Sequence, residues 1–101
     1  LTVLDLVEKV ERWATDRQII ANSTPMAQLL KSLSEMGELA DATLKNDRDG
    51  IVDGVGDVLV TLILYARLQG IHIEDCLATA YHTIKDRRGR LTPEGVFVKE
   101  S

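Results

Sequence analysis

Apolar residues recur at Val3, Leu6, Val7, Val10, Trp13 and Ala14, three and four apart, with charges between them. That is the period of an amphipathic helix, and it predicts one over about 3–17. Asn22-Ser23-Thr24-Pro25 is a start signal: Ser23 or Thr24 offers a capping hydroxyl, and Pro25 suits a first turn that needs no N–H. A second helix is predicted over about 25–45, with Leu29, Leu30, Leu33, Met36, Leu39 and Ala40 as its buried stripe. The polar run 45–50 reads as a loop. A third helix, about 51–69, carries Val55, Val58, Leu59, Val60, Leu62, Ile63, Leu64 and Leu68, apolar nearly all round. Such a helix belongs in the centre of a core or at a subunit interface. Gly70 caps it. A fourth is predicted over about 73–88, its inner face marked by Leu77, Ala80, Tyr81 and Ile84, with Gly89 ending it. Beyond it, Thr92-Pro93-Glu94-Gly95 signals a turn between two short stretches, hence a hairpin or an extended arm. The expected fold is all-α: a four-helix bundle with a short C-terminal β-hairpin or arm.

The 101 residues suit one domain, 1–101. A composition 45% hydrophobic and 28% charged is that of a folded chain, not a disordered one. The net charge of −4 argues against a general nucleic-acid binder, because an acidic surface repels a phosphate backbone. A phosphate substrate would then need a cation as intermediary, or a local basic patch. The single cysteine, Cys76, cannot form an internal disulfide and reads as a small core residue in a reducing, cytoplasmic setting. The longest apolar run, 58–66, is broken by Thr61 and falls short of the roughly 20 residues a membrane span needs. The chain opens on Leu1 rather than Met, and no secretory leader is read in it.

Glu35 and Glu38 lie three apart on the second helix, and Asp53 and Asp57 four apart on the third, so each pair shares a face. Asp53 also suits a helix start, where the dipole favours negative charge. Asp57 lies a turn further in, entering an apolar stretch that makes its ionised form costly. If the two helices pack antiparallel, the carboxylates converge, and their repulsion calls for a divalent cation. Mg2+, with Mn2+ as substitute, is the hard, oxygen-liganded choice. Gly54 and Gly56 would permit close approach of backbone or ligand. Lys85-Asp86-Arg87-Arg88-Gly89-Arg90 is a basic cluster in an acidic chain, suited to a helix C-terminus or to gripping phosphates. Lys31, one turn before Glu35, suits either task.

Three segments in this order carry a resemblance: Gln28-x-x-Lys31-x-x-x-Glu35-Met36-Gly37-Glu38-Leu39-Ala40, then Asp53-Gly54-Val55-Gly56-Asp57-Val58-Leu59, then Ile84-Lys85-Asp86-Arg87-Arg88-Gly89. Together they resemble the MazG-like all-α nucleoside triphosphate pyrophosphohydrolases, in particular the small phage and mobile-element type. The family pattern is Glu-Glu-x-x-Glu followed by Glu-x-x-Asp. The resemblance places Glu35, Glu38 and Asp57 at metal-binding and catalytic positions. Ser34 stands where the pattern has its first Glu, and Gly54 where the trailing motif has its Glu; Asp53 is the substitute ligand one residue earlier.

The resemblance implies hydrolysis of a nucleoside triphosphate to a monophosphate and pyrophosphate, and a homodimer or homotetramer. Lys31, Lys85 and Arg88 would bind phosphates, and Trp13 would be a wall for the base. The alternative is a non-catalytic nucleotide-binding or interaction bundle. A di-iron carboxylate protein is disfavoured, since Thr79 and Gln69, not Glu, precede His82 and His72 by three.

Overall fold

The computed structural model describes residues 1–100. It contains α1 (Val3–Asp16), α2 (Ile19–Asn22), α3 (Pro25–Leu44), α4 (Arg48–Leu68), α5 (Ile73–Ile84), β1 (Gly89–Leu91) and β2 (Phe97–Lys99). The fold is all-α with a small hairpin, but it has five helices rather than the four expected. The extra one, α2, follows Gln18, whose φ of 63° turns the chain sharply after α1. A left-handed turn made without glycine left no mark in the sequence.

Local chemistry sets the helix starts. Thr2 and Asp5 form a capping box at α1, the Thr2 hydroxyl accepting from the Asp5 N–H at 3.1 Å and the Asp5 carboxylate from the Thr2 N–H at 2.9 Å. At α3 the cap is Thr24, not Ser23: its hydroxyl accepts from the Ala27 N–H at 3.1 Å. The expected loop 45–50 is shorter, because Asp47 caps α4 through the Gly50 N–H at 3.1 Å and the helix starts at Arg48. The fourth predicted helix ends at Ile84, and Gly89 opens β1 instead of closing a helix. A Cβ at Gly89 would run into the Val98 carbonyl and the Phe97 ring, so strand pairing requires the glycine there. The hairpin pairs Gly89 with Lys99, Arg90 with Val98 and Leu91 with Phe97, around a turn in which Gly95 takes φ of 88°.

The antiparallel α3–α4 hairpin is the main packing unit, and α1 lies against α4. The core is thin: Val7, Ala14, Ala42, Ile63, Leu64 and Ala66, with Ser32, Glu35 and Thr61 buried among them. Much of the expected core is not there. Leu29, Leu30, Leu33 and Met36 of the predicted α3 stripe are exposed, as are Val55 and Leu59 of α4. So are Leu77, Tyr81 and Ile84 of α5, a helix with no buried residue at all. Cys76, expected in the core, is exposed for the same reason: α5 packs only lightly on α4. Amphipathic spacing tells which face seeks cover, not whether the same chain supplies it.

Candidate active site

Glu35 and Glu38 on α3 face Asp53 and Asp57 on α4, and all four line one cleft of about 520 Å³. Helix proximity makes the cleft possible. A Cβ on Gly54 would meet Leu39 Cβ and Cδ1 at 3.1 Å and its Cα at 3.3 Å, so α4 approaches α3 where only hydrogen fits comfortably. Gly56 is different: nothing lies within 4 Å of its would-be Cβ, so close packing does not explain it. Position 54, where the motif has a glutamate, packs against Leu39 of the neighbouring helix and, like Asp53, borders the cleft.

Sequence spacing missed three more polar residues in this cleft: Asp41, Lys45 and Asp47. Asp41 extends the Glu35–Glu38 row by a further three residues, a signal that was present. Asp47 was hidden inside the apparent loop. Six carboxylates and one lysine therefore line the space. That lysine, Lys45, is held by Asp41 at 2.9 Å. Lys31 reaches Glu35 at 3.3 Å.

The carboxylates sense one another. Glu35, only 8% exposed, is held below the usual glutamate range by hydrogen bonds from Glu38 and Lys31. Glu38 is pushed up, because it shares a hydrogen bond with Glu35 and feels its charge. Asp57 is pushed up first by desolvation, then by the charges of Asp53 and Glu35. This is the pattern of acids too close to ionise together without a proton or cation between them. The donor set is all oxygen, as Mg2+ and Mn2+ require. Among the described residues no three side chains already stand in the spacing of a metal shell. Lys31 meanwhile supplies the positive charge at Glu35.

A second cleft, about 410 Å³ and mostly apolar, adjoins the first at Asp57, which lines both. Its other walls are Leu6, Lys9, Val10, Trp13 and Val60. Trp13 is 46% exposed. Lys85 and Arg88 are not brought to either cleft: Lys85 follows α5, and Arg88 precedes β1 with its carbonyl accepting from the Glu100 N–H.

A family model for the MazG nucleotide pyrophosphohydrolase domain matches residues 23–91, covering α3, α4, α5 and β1. The chain belongs to the MazG family. Among its relatives is an uncharacterised 18.2 kDa protein from the rep-hol intergenic region of Haemophilus phage HP1 (strain HP1c1). The two are 38% identical over 72 residues, 71% of this chain and 43% of the relative, so the chain spans less than half of that protein's length. In architecture the chain is similar to the cyanophage S-2L MazG-like pyrophosphohydrolase, solved bound to dGDP and three catalytic Mn2+ ions per active site. The TM-score is 0.73 at 23% identity, covering 100% of this chain and 99% of that one, a likeness of fold. The MazG domain match begins at residue 23, so α1, with Lys9 and Trp13, lies outside it.

Proposed function

We propose that the chain is a divalent-metal-dependent pyrophosphohydrolase that converts a nucleoside or deoxynucleoside triphosphate and water to the monophosphate and pyrophosphate. The observation that carries this reading is the α3–α4 cleft, where Glu35, Glu38, Asp53 and Asp57 gather and the acidities of Glu35, Glu38 and Asp57 are perturbed by their neighbours. Family membership and the Mn2+ and dGDP bound by the cyanophage protein support it.

Glu35, Glu38 and Asp57 would hold Mg2+ or Mn2+, with Asp53 in place of the glutamate missing at Gly54. Such a cation supplies charge neutralisation for the phosphates and a water of lowered pKa. The proton of the attacking water would pass to a carboxylate of the same cleft. That oxygen bonds to the α-phosphorus, the bond to the bridging oxygen breaks, and pyrophosphate leaves. Lys31 can transfer from Glu35 to a phosphate, since its ion pair is exposed on the lysine side. Trp13 would form a wall for the base. Lys85 and Arg88 would steady phosphates in a homodimer or homotetramer, where a second copy carries them to a cleft.

The test is a panel of common NTPs and dNTPs with chelator-treated protein, with and without Mg2+ or Mn2+, reading pyrophosphate and orthophosphate separately. Pyrophosphate release only with metal is expected. Full activity after verified metal removal refutes the mechanism, and nucleotide binding without turnover points to a non-catalytic bundle.

A further inference from the structure

We propose that Lys9 selects the substrate by the edge of its base, favouring guanine and then thymine or uracil over adenine and cytosine. This deepens, and rests on, the nucleotide reading of the site above. Lys9 sits in the middle of an otherwise apolar stripe, three residues after Leu6 and four before Trp13. It is the one cationic wall of the apolar cleft. The cleft is within the range of small-ligand sites and shares Asp57 with the carboxylate cleft, so a nucleotide with its phosphates among the carboxylates would find Trp13 in the adjoining cleft for its nucleoside half.

Among the described residues Lys9 has no carboxylate within ion-pair distance; the bridged lysines are Lys31 and Lys45. Its ammonium is therefore free for a ligand. The two groups divide the work. Trp13 offers a flat face on which any base stacks, which gives affinity without choice. Lys9 offers three donors and no acceptor. Guanine presents two adjacent acceptors, O6 and N7, and thymine and uracil present O4. Adenine keeps N7 but sets its N6 amine beside it, against a donor, and cytosine presents its N4 amine there. A donor-only cation at a cleft wall thus gains two adjacent acceptors from guanine and a keto oxygen from thymine or uracil, but from adenine a single acceptor beside an opposing amine.

Trp13 is the sole tryptophan, so intrinsic fluorescence reports on this cleft directly. The experiment titrates GDP, UDP, ADP and CDP, in the presence of Mn2+, into wild type, Lys9→Met and Lys9→Arg, and measures kcat/KM for the matching triphosphates. Quenching by GDP and UDP at concentrations about tenfold below those for ADP and CDP is expected. Lys9→Met keeps the aliphatic stem but loses the donors, and should collapse that ratio towards one. Lys9→Arg should retain it. Equal binding of all four, a preference for amino bases, or a preference unchanged in Lys9→Met overturns the proposal. Absence of quenching by every nucleotide also overturns it, because the base then does not reach Trp13. Keto-selective quenching without turnover would refute the hydrolase reading while leaving this assignment standing.

Discussion

At the level of single residues, Asp57 is the carboxylate the two clefts share, since it lines each of them. Asp53 lines only the acidic one and is exposed. Asp57→Asn should lower turnover at saturating Mg2+ by at least ~100-fold, more than the loss of an outer-shell partner. Asp53→Asn keeps a donor oxygen and should retain measurable activity. Near-normal turnover in Asp57→Asn would show the site to be wrongly placed.

Glu38 gives a pH prediction. Its pKa is raised in the folded chain, so the fold holds that proton more firmly than the unfolded chain does. The resulting stability is complete below the ordinary glutamate value of 4.5 and is lost as pH rises through the raised value. Asp57, raised from 3.8, behaves alike. Glu35 is lowered and works in the opposite sense: its contribution is present above 4.5 and fades as pH falls through the lowered value. Glu38→Gln mimics the protonated acid at every pH and can still donate to Glu35. In chelator, its melting temperature should exceed that of wild type at neutral pH, with the gap closing towards pH 4.5. Saturating Mg2+ should reverse the order. A gap that widens on acidification would contradict the assignment.

At the element scale, the α3–α4 contact is set by one hydrogen atom's worth of space. In Gly54→Ala the new methyl must push against Leu39 Cα as well as its side chain, and backbone yields poorly. Alanine gains about 0.8–1 kcal/mol of helix propensity at any such site, so the two glycines form a matched pair. Gly56→Ala, with open space around it, should stabilise by about that amount. Gly54→Ala should fall short of it, lower the melting temperature, and weaken metal affinity by spreading the carboxylates. Thermal melts of both variants with and without Mn2+ decide this. A stabilised Gly54→Ala would mean that the helices have slack.

At the scale of the whole molecule, the chain is open. Its radius of gyration is 15.9 Å, against roughly 13 Å for a compact domain of about 100 residues. Leu77 is 72% exposed, and the apolar faces of α3, α4 and α5 stand uncovered together. Large exposed apolar patches mark interaction sites, and this one is expected to self-associate. Light scattering at micromolar concentration should give at least twice the monomer mass of 11.2 kDa. A stable monomer would leave Lys85 and Arg88 with no route to the phosphates.

The helical period, the four longer helices though not α2, the Pro25 start, the C-terminal turn and the pairing of Glu35 with Glu38 and of Asp53 with Asp57 were legible in the sequence, because spacing along a helix fixes which side chains share a face. Its third helix was already marked as fit for a core or an interface. No helix among the described residues is long and apolar enough to cross a membrane. Which apolar faces are covered emerged from how the helices dock. Burial is a relation between two elements, so Cys76, Leu33 and Tyr81, core residues by pattern, lie exposed where no partner element meets them. Docking also decided that Asp41, Lys45 and Asp47 join the cleft, that Gly54 serves packing while Gly56 does not, and that Lys9 and Trp13 border Asp57. Each of these is a distance between residues far apart in the chain, and such a distance is set by how helices dock rather than by the order in which their residues are written.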